Sequence, residues 1–169
     1  MEFQEGYAEE NGVKIAYRDY GPEGSEPILL VHGLGAHLVH WPEHLINFLI
    51  KNNYRPIVFD NRDAGLSSRF SAKPSFILDY LRYYLRLPMK SEYTLKDMSK
   101  DAISVLNVLK IKKAHILGTS MGGMIGQIIC AMFSDRVKSF TLIASTASVP
   151  GPMNGPTKEV QDVMLQRSK

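Results

Sequence analysis

Hydrophobic positions along the 169-residue chain change their period several times, and each period predicts a type of element. Residues 7–10 and 13–20 alternate in character around Asn11-Gly12, a dipeptide that favours a tight hairpin turn. A short uninterrupted apolar run, typical of a strand buried on both faces, follows at residues 27–31, and further core strands are predicted at residues 55–59, 114–117 and 137–144. The chain is therefore predicted to open with an antiparallel hairpin and to continue with core strands.

Apolar residues at helical spacing separate these strands. Such stripes occur at residues 41–50, 76–85, 98–109 and 121–132. The third follows Thr94 and Asp97, which are spaced as a capping box at a helix start. Alternating strands and helices predict an α/β domain with a mostly parallel sheet covered by helices on both faces, a three-layer α/β/α sandwich.

Composition and charge narrow the function classes without choosing among them. A net charge of +3, with basic residues scattered along the chain, gives no reason to expect a nucleic-acid or membrane partner. No apolar stretch could span a bilayer and the N-terminus is acidic, so a cytoplasmic location is expected. The one cysteine, Cys130, is expected to be a small buried hydrophobe.

The stretch that could carry out catalytic chemistry is Gly118-Thr119-Ser120-Met121-Gly122, between a predicted strand and a predicted helix. It matches the Gly-x-Ser-x-Gly nucleophile elbow, in which a strained turn presents the serine hydroxyl above the sheet. A Cβ at Gly118 or Gly122 would collide with neighbouring backbone in so tight a bend. The alternative is a glycine-rich strand-to-helix turn with an idle serine.

Three motifs in this order resemble the first half of an α/β-hydrolase-fold protein. They are His32-Gly33-Leu34-Gly35 with Trp41, Asp60-x-Arg62-x-x-Gly65-x-Ser67, and the Ser120 turn. The chain is most similar to serine esterases of the aclacinomycin methylesterase-like group, through its Asp-Asn-Arg-Asp segment and the Met-Gly-Gly-Met after the serine. On this resemblance we expect six strands in the order 1-2-4-3-5-6, with the helix after Ser120 packed on the sheet.

The resemblance also implies roles for residues. Ser120 would be the catalytic nucleophile, and the backbone N–H groups of Leu34 and Met121 would form an oxyanion hole. His32, Gly33, Gly118 and Gly122 would support the motifs, with His32 a structural hydrogen-bonding group instead of the base. Asp60, Arg62 and Ser67 would tie their loop together, the alternative being a surface ion pair. No cofactor and no metal are expected.

The family order of serine, acid and histidine is not completed in this chain, because no histidine follows Ser120. We therefore expect a hydrolase core at residues 1–150, truncated before the cap and the last strands, and the start of a cap or tail at residues 151–169. The base could come from a partner chain, or from His37 or His40 near the mouth of the site.

Two functions are consistent with the sequence. The first is a serine hydrolase that acts on small-molecule carboxylic esters by acyl transfer through Ser120, impaired or inactive as this chain stands. The second is a non-catalytic binding or interaction domain with the same fold. Self-association through an exposed edge strand at residues 137–144 is also expected, because that strand is apolar and Lys138 alone could protect it.

Overall fold

The computed structural model describes residues 2–70 and 91–146. Six strands form its sheet: β1 (Gln4–Glu10), β2 (Val13–Asp19), β3 (Glu26–Val31), β4 (Tyr54–Phe59), β5 (Ala114–Thr119) and β6 (Val137–Ile143). Three α-helices cover them: α1 (Glu43–Lys51), α2 (Leu95–Val108) and α3 (Met121–Met132). The predicted helical stripe at residues 76–85 and the predicted cap or tail at 151–169 lie outside the described residues.

The strands are arranged in the order β1-β2-β4-β3-β5-β6, which confirms the expected order. β1 pairs antiparallel with β2, and β2 pairs antiparallel with β4. The other three pairs are parallel, so the carboxyl ends of β3, β4 and β5 share one edge of the sheet. The hairpin turn has Asn11 at φ 52° and Gly12 at φ 77°, as a turn with two left-handed residues requires.

Helices pack on both faces of the sheet, as a three-layer architecture requires. Buried side chains of α2 and α3 share one core with Leu29, Ile57 and Ile116 of the central strands. The opposite face packs Ile46 and Leu49 of α1 against Leu30 and other strand residues. The capping box at the start of α2 is confirmed, since Thr94 N donates to Asp97 Oδ2 at 2.9 Å and Thr94 Oγ1 accepts from Asp97 N.

Helix α3 lies so close to the sheet that glycine lines its inner face. A Cβ at Gly126 would lie 2.3 Å from the ring of Phe140 on β6. Within the apolar stripe predicted at residues 121–132, Ile125 and Ile129 are fully buried, whereas Met132 is 41% exposed. The expectation that Cys130 is buried is wrong: the residue is partly exposed because it lies one position beyond the buried stripe that ends at Ile129.

Candidate active site at the carboxyl ends of the strands

The reversal from β5 to α3 takes place at a single residue. β5 ends at Thr119 and α3 begins at Met121, which leaves Ser120 between them at φ 53° and ψ −121°. A non-glycine residue at such angles is strained, and this strain is concentrated at functional sites. Ser120 N donates to Ile143 O of β6 at 3.0 Å, so the strained residue is anchored to the neighbouring strand while its side chain is exposed.

Glycines on either side of Ser120 make this turn sterically feasible. A Cβ at Gly118 would lie 2.4 Å from Gly122 O, and a Cβ at Gly122 would lie 2.0 Å from Val31 O. Val31 O belongs to β3 and Gly122 O to the first turn of α3, so neither backbone oxygen can move aside without shifting the strand or the helix. The steric reason given for glycine at these positions is therefore confirmed.

The loop after β3 lies against the serine. A Cβ at Gly33 would be 3.0 Å from Ser120 Cβ and 3.4 Å from Ser120 Oγ, so the structure brings Gly33 and Ser120 into contact. Leu34 follows with its side chain 84% exposed. Met121 is the first residue of α3, and its N–H therefore has no acceptor within the helix.

A cleft of about 670 Å³ opens between four segments of the chain. They are the loop after β3, the loop after β4, the start of α2 and the start of α3. We call it the site cleft. Its apolar lining includes Leu34, Leu95, Met98 and Met121. Its polar lining includes His37, Asn61, Arg62, Asp63, Arg69, Ser91, Tyr93 and Thr94. A concavity of this size that combines apolar side chains with polar groups is typical of a small-molecule site.

Asp60 joins the loops that border the site cleft. Its buried carboxylate accepts from Leu38 N at 2.7 Å and from Leu66 N at 2.9 Å. Ser67 Oγ donates to Asp60 O at 2.7 Å and accepts from Ala16 N at 2.9 Å. Asp60 and Ser67 therefore tie the loop after β4, and they extend this support to the loop after β3.

Arg62 makes a buried ion pair that reasoning from the sequence missed. Its Nε and Nη2 donate to the two carboxylate oxygens of Asp101 at 2.7 and 2.8 Å. The side chains are 8% and 9% exposed, so the alternative of a surface ion pair is wrong. The guanidinium also faces the rings of Phe70 and Tyr93. The available signal was an acidic residue, Asp101, on the otherwise apolar face of α2.

His32 is a buried, neutral residue beneath the loop that follows it. Its ring stacks on Trp41 with centroids 4.2 Å apart. Burial and the nearby rings of His40 and His37 lower the pKa of His32 to about 4, against the opposing influence of Asp60 and of a hydrogen bond to the His37 main chain. Among the described residues, Nε2 of this ring is buried without a hydrogen-bond partner, so the role of His32 as a structural hydrogen-bonding group stays a prediction.

The described contacts of three other histidines do not involve Ser120. His40 Nδ1 accepts from His37 N at 3.0 Å, and His37 Nδ1 lies 4.0 Å from Asp60 Oδ1. His115 lies at the opposite end of β5, where it contacts Ser139 and Glu26. Across residues 2–70 and 91–146, no hydrogen bond links a histidine side chain to Ser120. The described contacts thus do not bring His37 or His40 to the serine.

The fold and this site define the class of protein. A sequence profile described as alpha/beta hydrolase fold matches residues 26–167, and the chain belongs to that family. Solved structures agree: a hydrolase from Pseudomonas aeruginosa superposes with a TM-score of 0.69 at 24% identity, covering 95% of this chain and 52% of that one. A hydrolase from Thermoplasma acidophilum gives 0.69 at 22% identity, covering 89% and 66%.

Curated relatives include esterases and other hydrolases. Rhodomycin D methylesterase DnrP of Streptomyces peucetius is 26% identical over 129 residues, which cover 75% of this chain and 37% of that protein. The putative carbamate hydrolase RutD of Variovorax paradoxus is 25% identical over 129 residues, covering 76% and 41%. The chain thus spans about two-fifths of the length of these relatives. None of the helices in the described part of the chain is long and apolar enough to cross a membrane.

Proposed function

We propose that this chain carries the nucleophile-bearing part of a serine hydrolase that acts on small-molecule carboxylic esters. The observation that supports this most directly is Ser120 itself, a strained and exposed serine between a core strand and the N-terminus of a helix. The similarity to methylesterases and the membership of a hydrolase family support the same class of reaction. A cytoplasmic location remains part of this proposal.

In the proposed reaction, Ser120 Oγ attacks the ester carbonyl carbon while a base accepts its proton, and the alcohol leaves with a proton from that base. Water then attacks the acyl-Ser120 intermediate and releases the carboxylic acid. The N–H groups of Leu34 and Met121 would stabilise the negative charge on the carbonyl oxygen at each step. Contact between Gly33 and Ser120 and the position of Met121 at the helix start support this assignment.

The strength of the activity depends on the base. This chain has no histidine after Ser120, and the described histidines make no hydrogen bond to it. We therefore expect the 169-residue chain to hydrolyse esters slowly, several orders of magnitude below a complete triad, with the oxyanion hole and binding supplying what remains.

Hydrolysis of p-nitrophenyl butyrate by the purified chain tests the proposal. We expect slow release of p-nitrophenol that falls to the uncatalysed rate in Ser120→Ala and persists in Ser134→Ala, which removes an exposed serine beyond α3. Turnover unaffected by Ser120→Ala would contradict the proposal. No turnover in any variant, with ligands still bound in the site cleft, would favour the non-catalytic binding domain.

A further inference from the structure

Most polar side chains that line the site cleft are bound to other groups of the protein. Arg62 is paired with Asp101. Asp63 Oδ1 accepts from Phe70 N at 2.7 Å, and burial together with a hydrogen bond to Asp63 raises the pKa of Tyr93 to about 12. Ser91 Oγ donates to Tyr93 O, and Thr94 is bound to Asp97. Binding a ligand through these groups would first require breaking existing contacts.

Asn61 differs from them. It is 4% exposed, and its Nδ2 donates to His32 O at 3.2 Å. That bond fixes the orientation of the amide and leaves Oδ1 as a hydrogen-bond acceptor. Oδ1 is buried and has no partner within the described residues. The other such atom among the cleft-lining side chains is His37 Nδ1, which already has a carboxylate oxygen of Asp60 4.0 Å away.

We infer that Asn61 is a specificity-determining residue of the site cleft, whose Oδ1 accepts a hydrogen bond from a hydroxyl or N–H group of the substrate. Leu34, Met98 and Met121 supply apolar lining of the same cleft. The substrate class is therefore a carboxylic ester with an apolar body that carries one hydrogen-bond donor. That the substrate is an ester rests on the proposed function, whereas its need for a hydrogen-bond donor does not.

The physical basis is the cost of an unpaired buried acceptor. A ligand that fills the cleft without a donor leaves Oδ1 unpaired, whereas a ligand with a donor in the right place satisfies it. Sites built around a buried polar group reject analogues that lack its partner more strongly than apolar pockets reject a missing methylene. The acceptor would therefore select against purely apolar esters of the same size.

Matched ligands test the inference on the unmodified chain. Methyl 3-phenylpropanoate is compared with its 2-, 3- and 4-hydroxyphenyl derivatives and with their methoxy counterparts, which accept but cannot donate hydrogen bonds. Dissociation constants are measured by NMR titration. We expect at least one hydroxyphenyl isomer to bind about three- to tenfold more tightly than both the parent ester and its own methoxy counterpart. Equal affinities throughout would overturn the inference.

Two variants then assign the preference to one residue. In Asn61→Leu we expect the preference for the hydroxyl to disappear while the parent ester still binds. In the control Asn107→Leu, an exposed position on α2 away from the cleft, the preference should remain. A preference that persists in folded Asn61→Leu would contradict the assignment, and if that variant fails to fold, the wild-type comparison still decides the inference.

Ser120→Ala separates this inference from the proposed function. Binding needs no turnover, so the hydroxyl preference should survive in Ser120→Ala even though acyl transfer is lost. A chain that shows the preference but never hydrolyses an ester would refute the proposed function and leave the role of Asn61 intact. Hydrolysis through Ser120 without any hydroxyl preference would do the reverse.

Discussion

Ser120 and His32 show how single residues are held in unfavourable states by their surroundings. Ser120 adopts φ 53° between Gly118 and Gly122, where an added Cβ would collide with backbone, and its N–H donates to Ile143 O. His32 is buried against Trp41, and burial lowers its pKa to about 4, so its ring is neutral at pH 7. Both states are maintained by backbone and ring packing contributed by different elements.

The depressed pKa of His32 predicts a pH-dependent stability. Between the ordinary value of 6.5 and the folded value of about 4, the unfolded chain binds a proton at His32 that the folded chain does not. The contribution of His32 to the free energy of unfolding should therefore be greatest above pH 6.5 and fall as the pH decreases towards 4. Urea titrations between pH 7 and pH 4 measure this slope.

His32→Phe is the informative variant because it keeps a ring against Trp41 but cannot titrate. We expect a shallower loss of stability with falling pH than in the unmodified chain. His44→Gln, which removes an exposed histidine on α1, should leave the slope unchanged. Identical slopes for His32→Phe and the unmodified chain would show that His32 does not bind its proton differently on folding.

Much of the site could be predicted from residue types at fixed local spacing, and what was missed depends on long-range contacts. The glycines around Ser120 were predictable because the steric demand of a tight turn is local. The pair Arg62–Asp101 joins residues far apart in sequence, and the anchoring of Asn61 Nδ2 on His32 O depends on the pairing of neighbouring strands. Local pattern carries no information about such distances.

Helices and strands also differ in which of their features could be predicted from the sequence. The strand order was predictable from the resemblance of the three ordered motifs to a known fold, and the position of α3 from the helical stripe that follows Ser120. The start of β1 at Gln4, three residues before the predicted start, was not, because most positions there face solvent and lack an apolar alternation. Exposure along α3 also differed from its stripe, since glycines bring the helix close to the sheet and leave Met132 outside the contact.

The close approach of α3 predicts that Gly122→Ala is strongly destabilising. The added methyl group would lie 2.0 Å from Val31 O, so the helix must shift away from the sheet. Overpacking of this kind costs about 1–3 kcal/mol, and collision with backbone places it at the upper end. Chemical denaturation measures the change. Ala131→Ser on the exposed side of the same helix should change stability by less than about 0.5 kcal/mol.

A destabilisation of Gly122→Ala no greater than that of Ala131→Ser would mean that α3 has room to move. In that case the geometry around Ser120 would be less constrained than the contacts of Gly118 and Gly122 indicate.

For the whole molecule, the sheet has two edges within the described residues, and β6 forms one of them. Its side chains include Leu142 and Ile143, which are 41% and 46% exposed. Lys138, the one charge on this strand, is paired with Glu26. An apolar edge strand with little charge is prone to pair with another chain. We therefore keep the proposal that this chain self-associates through β6.

Sedimentation velocity over a concentration series tests this proposal. We expect the unmodified chain to form dimers or larger species as concentration rises, and Leu142→Lys to shift it towards monomer. Phe48→Lys, at an apolar residue of α1 that is 62% exposed, should leave association unchanged. A monomer at every concentration would refute association. Equal effects of Leu142→Lys and Phe48→Lys would indicate that an added charge reduces association in general, and that pairing through β6 is not its cause.

The central claim is that Ser120 is a nucleophile, and covalent labelling tests it most directly. The folded chain is treated with a fluorophosphonate probe, and peptide mass spectrometry locates and quantifies the adduct. We predict slow labelling at Ser120, above that of every other serine, that is lost after denaturation because it depends on the strained turn and the N–H groups of Leu34 and Met121. Labelling of Ser120 no faster than in the denatured chain would contradict the claim.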